Sequence, residues 1–175
     1  LPNHCNLPTN RTLTYATPFI IWKLSISNFR CFYRHKRMYV PPSLSKSDRA
    51  KQQRMLDQSR KNYKQHIFKT RKRLRSFQSK PSKHILRAKR LYHLDSITPN
   101  AALAKATGCP IRVLRAIVKK GEGAYYSSGS RPNQTAQSWA YARLASAVTG
   151  GKASVVDYHL ISQCDPSKPA YQLAS

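Results

Sequence analysis

Acidic residues are what this chain has least of. Only 6 of its 175 residues are Asp or Glu. So few leave little for paired-carboxylate catalysis or for hard-cation binding by oxygen ligands. Cysteine is sparse as well, with Cys5, Cys31, Cys109 and Cys164. No two of them have C-x-x-C spacing, and His4–Cys5 has no second ligand pair at zinc spacing. Free thiols in a reducing compartment are the expectation, with a Cys5–Cys31 bridge as the alternative. Long apolar runs are missing too. Phe19 to Leu24 is too short to span a bilayer, and Lys23 interrupts it. No membrane span is therefore expected. The opening stretch lacks the charged start and long apolar core of a secretory signal. It also lacks acids as far as Lys46, which keeps an organelle transit peptide as a minor reading. Leu1 in place of methionine suggests a processed product or an upstream-extended reading frame.

Positive charge is what the chain has in excess. There are 32 Lys and Arg, a net of +26. Such an excess repels itself unless an anionic partner is near, whether nucleic acid, an acidic protein surface or anionic lipid. Between Arg30 and Arg90, 21 basic residues face only Asp48 and Asp57. An apolar fraction of 40% and 11 scattered prolines suit one small domain with extensions.

The expected organisation is mainly α. It comprises a small helical domain with a helix-turn-helix-like pair, a long basic helix, and extended N- and C-terminal arms. Residues 1–42 read as an arm and linker. Phe19, Ile20, Ile21, Trp22, Phe29, Phe32 and Tyr33 would find burial on a neighbouring protein, with a disordered tail as the alternative. Residues 43–94 read as a basic helical region. Ser45 to Asp48 gives a capping-box-like start. The stretch from Asp48 to about Arg75 has no glycine or proline and reads as one helix. Its cations Lys69, Arg71, Lys72, Arg73 and Arg75 are candidate contacts to phosphate or to an acidic partner. The run SFQSKPS breaks the helix, and Lys83 to Leu94 follows as a second one.

Residues 95–165 read as the small helical domain. Thr98-Pro99 supplies a cap and a first-turn proline for Ala101 to Thr107, and Gly108 ends that helix. A further helix runs from Ile111 to Lys120, until Gly121. The two resemble a helix-turn-helix, with Arg112 and Arg115 facing a groove in a DNA-reading version. A helical hairpin packed on the Trp139 helix is the plainer reading and comes first. Lys119 and Lys120 join the candidate anion contacts. Gly121-Glu122-Gly123 acts as a breaker, and Tyr125 and Tyr126 as anchors.

Ser127 to Pro132 is a turn-forming loop with Arg131. It could touch a phosphate but lacks the lysine-serine or lysine-threonine ending of a nucleotide-binding loop. Thr135 caps the next helix, and Gly150-Gly151 stops it. Ala136, Trp139, Ala140, Leu144, Ala147 and Val148 follow helical spacing, with Arg143 on the same face. Trp139 and Leu144 are expected against Leu114 and Ile117. Ala153 to Ser162 is a strand or a last helical turn. Asp157 and His159 suggest an acid–base pair, but no nucleophile accompanies them. Residues 166–175 read as a tail.

GAYYSSGSRPNQT, SWAYARLASAVTGGKA and VDYH, with MYVPPSLSKSDRAKQ upstream, resemble a domain family encoded by large double-stranded DNA viruses. The resemblance covers about Met38 to Cys164. It implies a minor capsid protein, since related chloroviruses carry small basic proteins beneath the capsid shell. In that setting the chain would be a basic clamp linking capsomers on the inner face of the shell. Its partners would be the major capsid protein and neighbouring minor proteins, with non-specific contact to packaged DNA. The virion would be its location, reached from host cytoplasm or nucleus. The alternative is a nucleic-acid-binding regulatory or genome-packaging protein. No enzymatic activity and no cofactor are expected on either reading.

Overall fold

The computed structural model describes residues 39–175. The expected arm contacts at Phe19, Ile20, Ile21, Trp22, Phe29, Phe32 and Tyr33 lie outside them. Among the described residues the architecture is all helical, as the periodicity predicts. In chain order the helices are α1 (Lys46–Lys64), α2 (Lys83–Tyr92), α3 (Ala101–Thr107), α4 (Ile111–Ser127), α5 (Ala136–Val148), α6 (Lys152–Val156), α7 (Tyr158–Ile161) and α8 (Pro169–Gln172).

The centre is the packing of α4 on α5, the most extensive helix pair. Thr135 starts α5 with a full capping box. Its hydroxyl accepts from the Ser138 amide at 3.0 Å, and the Ser138 hydroxyl accepts from the Thr135 amide at 3.0 Å. Gly121 sits inside α4 at the crossing. A side chain there would meet Ala140 Cα at 2.6 Å. The two glycines therefore do not break the helix, which continues to Ser127. Glycine here serves close backbone approach, and packing outweighs its low helix propensity.

This close approach also decides where Trp139 goes. Ala140, Leu144, Ala147 and Val148 are fully buried, in line with expectation for Leu144. Trp139 lies one step round the helix from Ala140. It is half-buried and meets Tyr39 edge-on, with ring centroids 5.8 Å apart, instead of joining the core with Leu114 and Ile117. A large ring on the crossing face would hold α4 and α5 apart.

The core also takes Ala88 and Tyr92 from α2, Leu103 from α3, Ile161 from α7 and Ala170 from α8. The Tyr92 hydroxyl donates to the Val148 carbonyl, and burial pushes its pKa up to about 12. The expected cap of α3 moves by two residues: Asn100, not Thr98, accepts from the Leu103 amide at 2.8 Å. Gly108 ends α3 at φ 75°, as expected.

The C-terminal tail is part of this body. Ala170 is fully buried, Cys164 is bonded to Cys109, and the Asp165 amide donates to the Gly108 carbonyl at 2.9 Å. The expectation of free thiols is thus corrected at these two positions. Their Cα atoms lie 4.2 Å apart although 55 residues separate them in sequence. Ala153 to Ser162 resolves into α6 and α7 rather than a strand.

The basic helix is shorter than expected. α1 ends at Lys64, and His66 turns the chain at φ 56°. Residues 66–80 then run as an irregular strap back along the domain. At the other end of α1, Ser45 accepts from the Asp48 amide at 3.2 Å. Asp48 does not return that bond. Its carboxylate accepts from the Ser76 amide and hydroxyl at 3.1 and 2.8 Å, tying the strap to the helix start.

Candidate polyanion-binding face

The strap carries the densest cations, and the fold sorts them into two kinds. Arg71 turns inward. Its guanidinium donates to the Ser59 hydroxyl at 3.0 Å, the Tyr125 carbonyl at 3.1 Å and the Ser130 hydroxyl at 2.7 Å. It also lies 3.7 Å from the Tyr125 ring centroid. The Tyr125 hydroxyl accepts from the Arg71 amide at 3.2 Å and donates to the Gln134 carbonyl at 3.0 Å. Burial lowers the Arg71 pKa from the ordinary guanidinium value, and the Tyr125 and Tyr126 oxygens act the other way. Arg71 is therefore an internal staple rather than a contact for an outside anion.

A second staple follows at Leu74. Asn133, at φ 57°, accepts from the Leu74 amide at 2.8 Å and donates to the carbonyls of Leu74 and Phe77, both at 3.0 Å. The Leu74 side chain is buried. Lys72 and Arg73, between the two anchors, are exposed, as are Lys69 and Arg75 beside them.

Aromatic rings cover the start of the strap. Phe68 packs edge-on between Tyr63 and Tyr126, at 6.1 and 5.2 Å, and Tyr126 meets Tyr125 at 5.0 Å. Both tyrosines of the expected anchor pair thus hold the strap.

A second set of cations lies on α4. Arg112, Arg115 and Lys119 are exposed at helical spacing. Lys120 departs from this set. It donates to Asp157 Oδ1 at 2.8 Å, while Arg143 grips the same carboxylate through Nε at 2.7 Å and Nη2 at 2.8 Å. Asp157 is fully buried. Burial alone would raise its pKa, but hydrogen bonds from Arg143 and Lys120 prevail and hold it below the usual carboxylate value. The Asp157–His159 pair that the sequence suggests, discounted for want of a nucleophile, does not form. His159 Nε2 lies 3.3 Å from Lys120 Nζ instead. Arg131 is exposed on its loop.

The scarce acids are thus largely committed. Asp157 holds α4 and α5 to the α6–α7 junction, and Asp48 holds the strap. Asp165 accepts from the Ser167 amide and hydroxyl at 2.9 and 2.7 Å, and Asp57 engages Gln53 and Arg60. Little negative charge is left to quiet the cations on the strap and α4. Among the described residues no cluster of His, Cys, Asp or Glu could hold a metal ion, and no helix is long and apolar enough to cross a membrane.

Sequence reasoning missed the share of α1 in this face. Lys51 and Arg54 are exposed and line a groove opposite Lys72 and Arg73. Their i, i+3 spacing within a helix was the available signal. What it could not supply was the strap folding back beside them.

The arrangement defines a small, basic, all-helical domain without a nucleophile–base constellation among the residues singled out from the sequence. Residues 38–168 match the Family of unknown function (DUF5824), and the chain belongs to that family. No curated protein and no solved structure matches it.

Proposed function

We propose that this chain is a structural, non-enzymatic component of a large double-stranded DNA virus particle: a minor capsid protein that clamps capsomers from the inner side of the shell. The observation that carries this reading is that Asp48, Asp57, Asp157 and Asp165, four of the six acids, are engaged within the chain, while the cations of the strap, α1 and α4 face outward. A surface so one-sided suits an acidic protein or a packaged polyanion. The viral setting comes from the sequence resemblance. The major capsid protein and its minor neighbours are the partners, with non-specific contact to packaged DNA. Purified intact particles provide the test. The chain should occur in the shell at fixed stoichiometry, and replacing Lys69, Lys72, Arg73 and Arg75 with glutamine should lower its incorporation. Recovery with the released genome alone would reject the clamp.

A second reading, a nucleic-acid-binding regulatory or packaging protein, draws support from Arg112, Arg115 and Lys119 along one side of α4. Phosphate contacts release counterions, so each one lost should reduce the log affinity–log salt slope on duplex DNA by about 0.9. Replacing the three with glutamine should flatten that slope under this reading. Weak DNA binding that the substitutions leave unchanged would speak against it.

A further inference from the structure

We infer that the groove between α1 and the strap is a docking site for an acidic peptide segment that inserts one apolar side chain. The groove is open to solvent, has a volume of about 330 Å³, and is lined by Lys51, Arg54, Met55, Lys72, Arg73 and Leu74. That volume lies at the lower end of the range for small-ligand clefts, roughly 300–1,000 Å³. Lys51 and Arg54 form one cationic wall, and Lys72 and Arg73 form the other. Met55 and Leu74 supply the apolar lining between them. Lys51 has one carboxylate near it, Asp48 at 3.5 Å. Arg54, Lys72 and Arg73 meet no carboxylate among the described residues.

The walls are held in place before any ligand arrives. Arg71 and Leu74 are anchored on either side of Lys72 and Arg73, so the backbone between them is fixed while those two side chains project outward. On the other side, Lys51, Arg54 and Met55 share a helix face through i, i+3 and i+4 spacing. Binding then has little backbone left to order in this chain, whose entropic cost falls mainly on the Lys and Arg side chains.

The apolar lining selects among anions. A nucleic-acid backbone would use the four cations but gain nothing from Met55 and Leu74, and neither gives a base a flat ring to stack on. A peptide with carboxylates on either side of an apolar residue would use both. Clustered basic side chains recognise acidic motifs in this way, and methionine adapts to varied apolar shapes. The inference rests on the proposed function in its acidic-protein form, and it narrows the partner surface to a segment of that composition.

Fluorescence anisotropy with the full chain tests it. The probes are a labelled short acidic peptide with one central phenylalanine, the same peptide with alanine at the centre, and a single-stranded DNA oligonucleotide of equal charge. The phenylalanine peptide should bind about tenfold more tightly than the alanine peptide, as expected for partial burial of one ring. The double variant Arg54→Gln/Arg73→Gln should weaken both peptides more than the DNA, and Met55→Gln, which makes the lining polar, should abolish the phenylalanine preference. Lys61→Gln/Lys64→Gln, the same charge change at the exposed end of α1, should weaken all probes alike and preserve it. Equal binding of the two peptides would overturn the groove while leaving a purely electrostatic acidic partner standing. So would DNA that binds as tightly as the phenylalanine peptide and loses affinity selectively in the Arg54/Arg73 variant. Failure of every acidic peptide to bind would remove both the groove and the acidic-protein form of the clamp.

Discussion

Replacing Asp157 with asparagine removes the one carboxylate that joins three parts of the domain. Asp157 is fully enclosed, and it receives two bonds from Arg143 and one from Lys120. Asparagine keeps the shape but loses the charge, and its amide nitrogen turns a donor toward other donors. Breaking a buried ion pair by removing one partner costs roughly 3–5 kcal/mol. Here the remaining partners can reach water, since the Arg143 and Lys120 side chains are 20% and 39% exposed. The expected loss is therefore smaller, about 2–3 kcal/mol.

The pH dependence has a definite sign. A carboxylate whose pKa is lower in the folded protein than in the unfolded chain stabilises above the unfolded value, about 3.9, and loses that contribution as the pH falls through the folded value. Urea unfolding of wild type and Asp157→Asn should thus show a constant gap from about pH 5 to 8 that narrows below about pH 4. His159 lies beside Lys120, so the pair of proteins is best compared in a His159→Gln background. A gap under about 0.5 kcal/mol at pH 7, the size of an ordinary surface substitution, would refute the role assigned to this carboxylate.

The other expectations concern the staples and the helix crossing. The Cys109–Cys164 bond closes a loop over a separation of 55 residues, so Cys109→Ser should cost about 4 kcal/mol by the chain-entropy estimate; equal urea midpoints with and without reductant would show that the bond contributes nothing. Arg71→Ala should cost about 2–3 kcal/mol through its lost hydrogen bonds and ring contact, and limited proteolysis should then cut within residues 66–80 before it cuts elsewhere. Gly121→Ala should destabilise by about 1–3 kcal/mol, because the added methyl meets the α5 backbone; a stabilised variant in thermal unfolding would contradict the close crossing. Trp139→Ala should cost only about 1–2 kcal/mol, since the ring is half-buried and its aromatic partner is Tyr39; a loss above about 3 kcal/mol would return Trp139 to the core.

The sequence carried the local instructions well and the long-range ones poorly. Thr135, Gly108 and the Gly150-Gly151 pair act through their immediate neighbours, and the limits of α3 and α5 follow from them. The end of α1 had no such local mark. Residues 48–75 contain no glycine or proline, and only contacts to Tyr125, Ser130 and Asn133, more than fifty residues away, explain why the chain leaves the helix. Gly121 failed in the opposite sense. It is a breaker by propensity, yet the partner that makes glycine necessary, Ala140, lies on another helix. The same division runs through the candidate site. Lys69, Lys72, Arg73 and Arg75 stood out by density alone, but density could not separate Arg71 from them. Its inward turn depends on two hydroxyls, a carbonyl and a tyrosine ring that only the fold assembles. Nor could spacing pair Cys109 with Cys164, because a disulfide depends on Cα proximity in the fold and leaves no periodic trace. Charge therefore told what kind of partner to expect, while the geometry that would recognise it is a tertiary property of α1 and the strap.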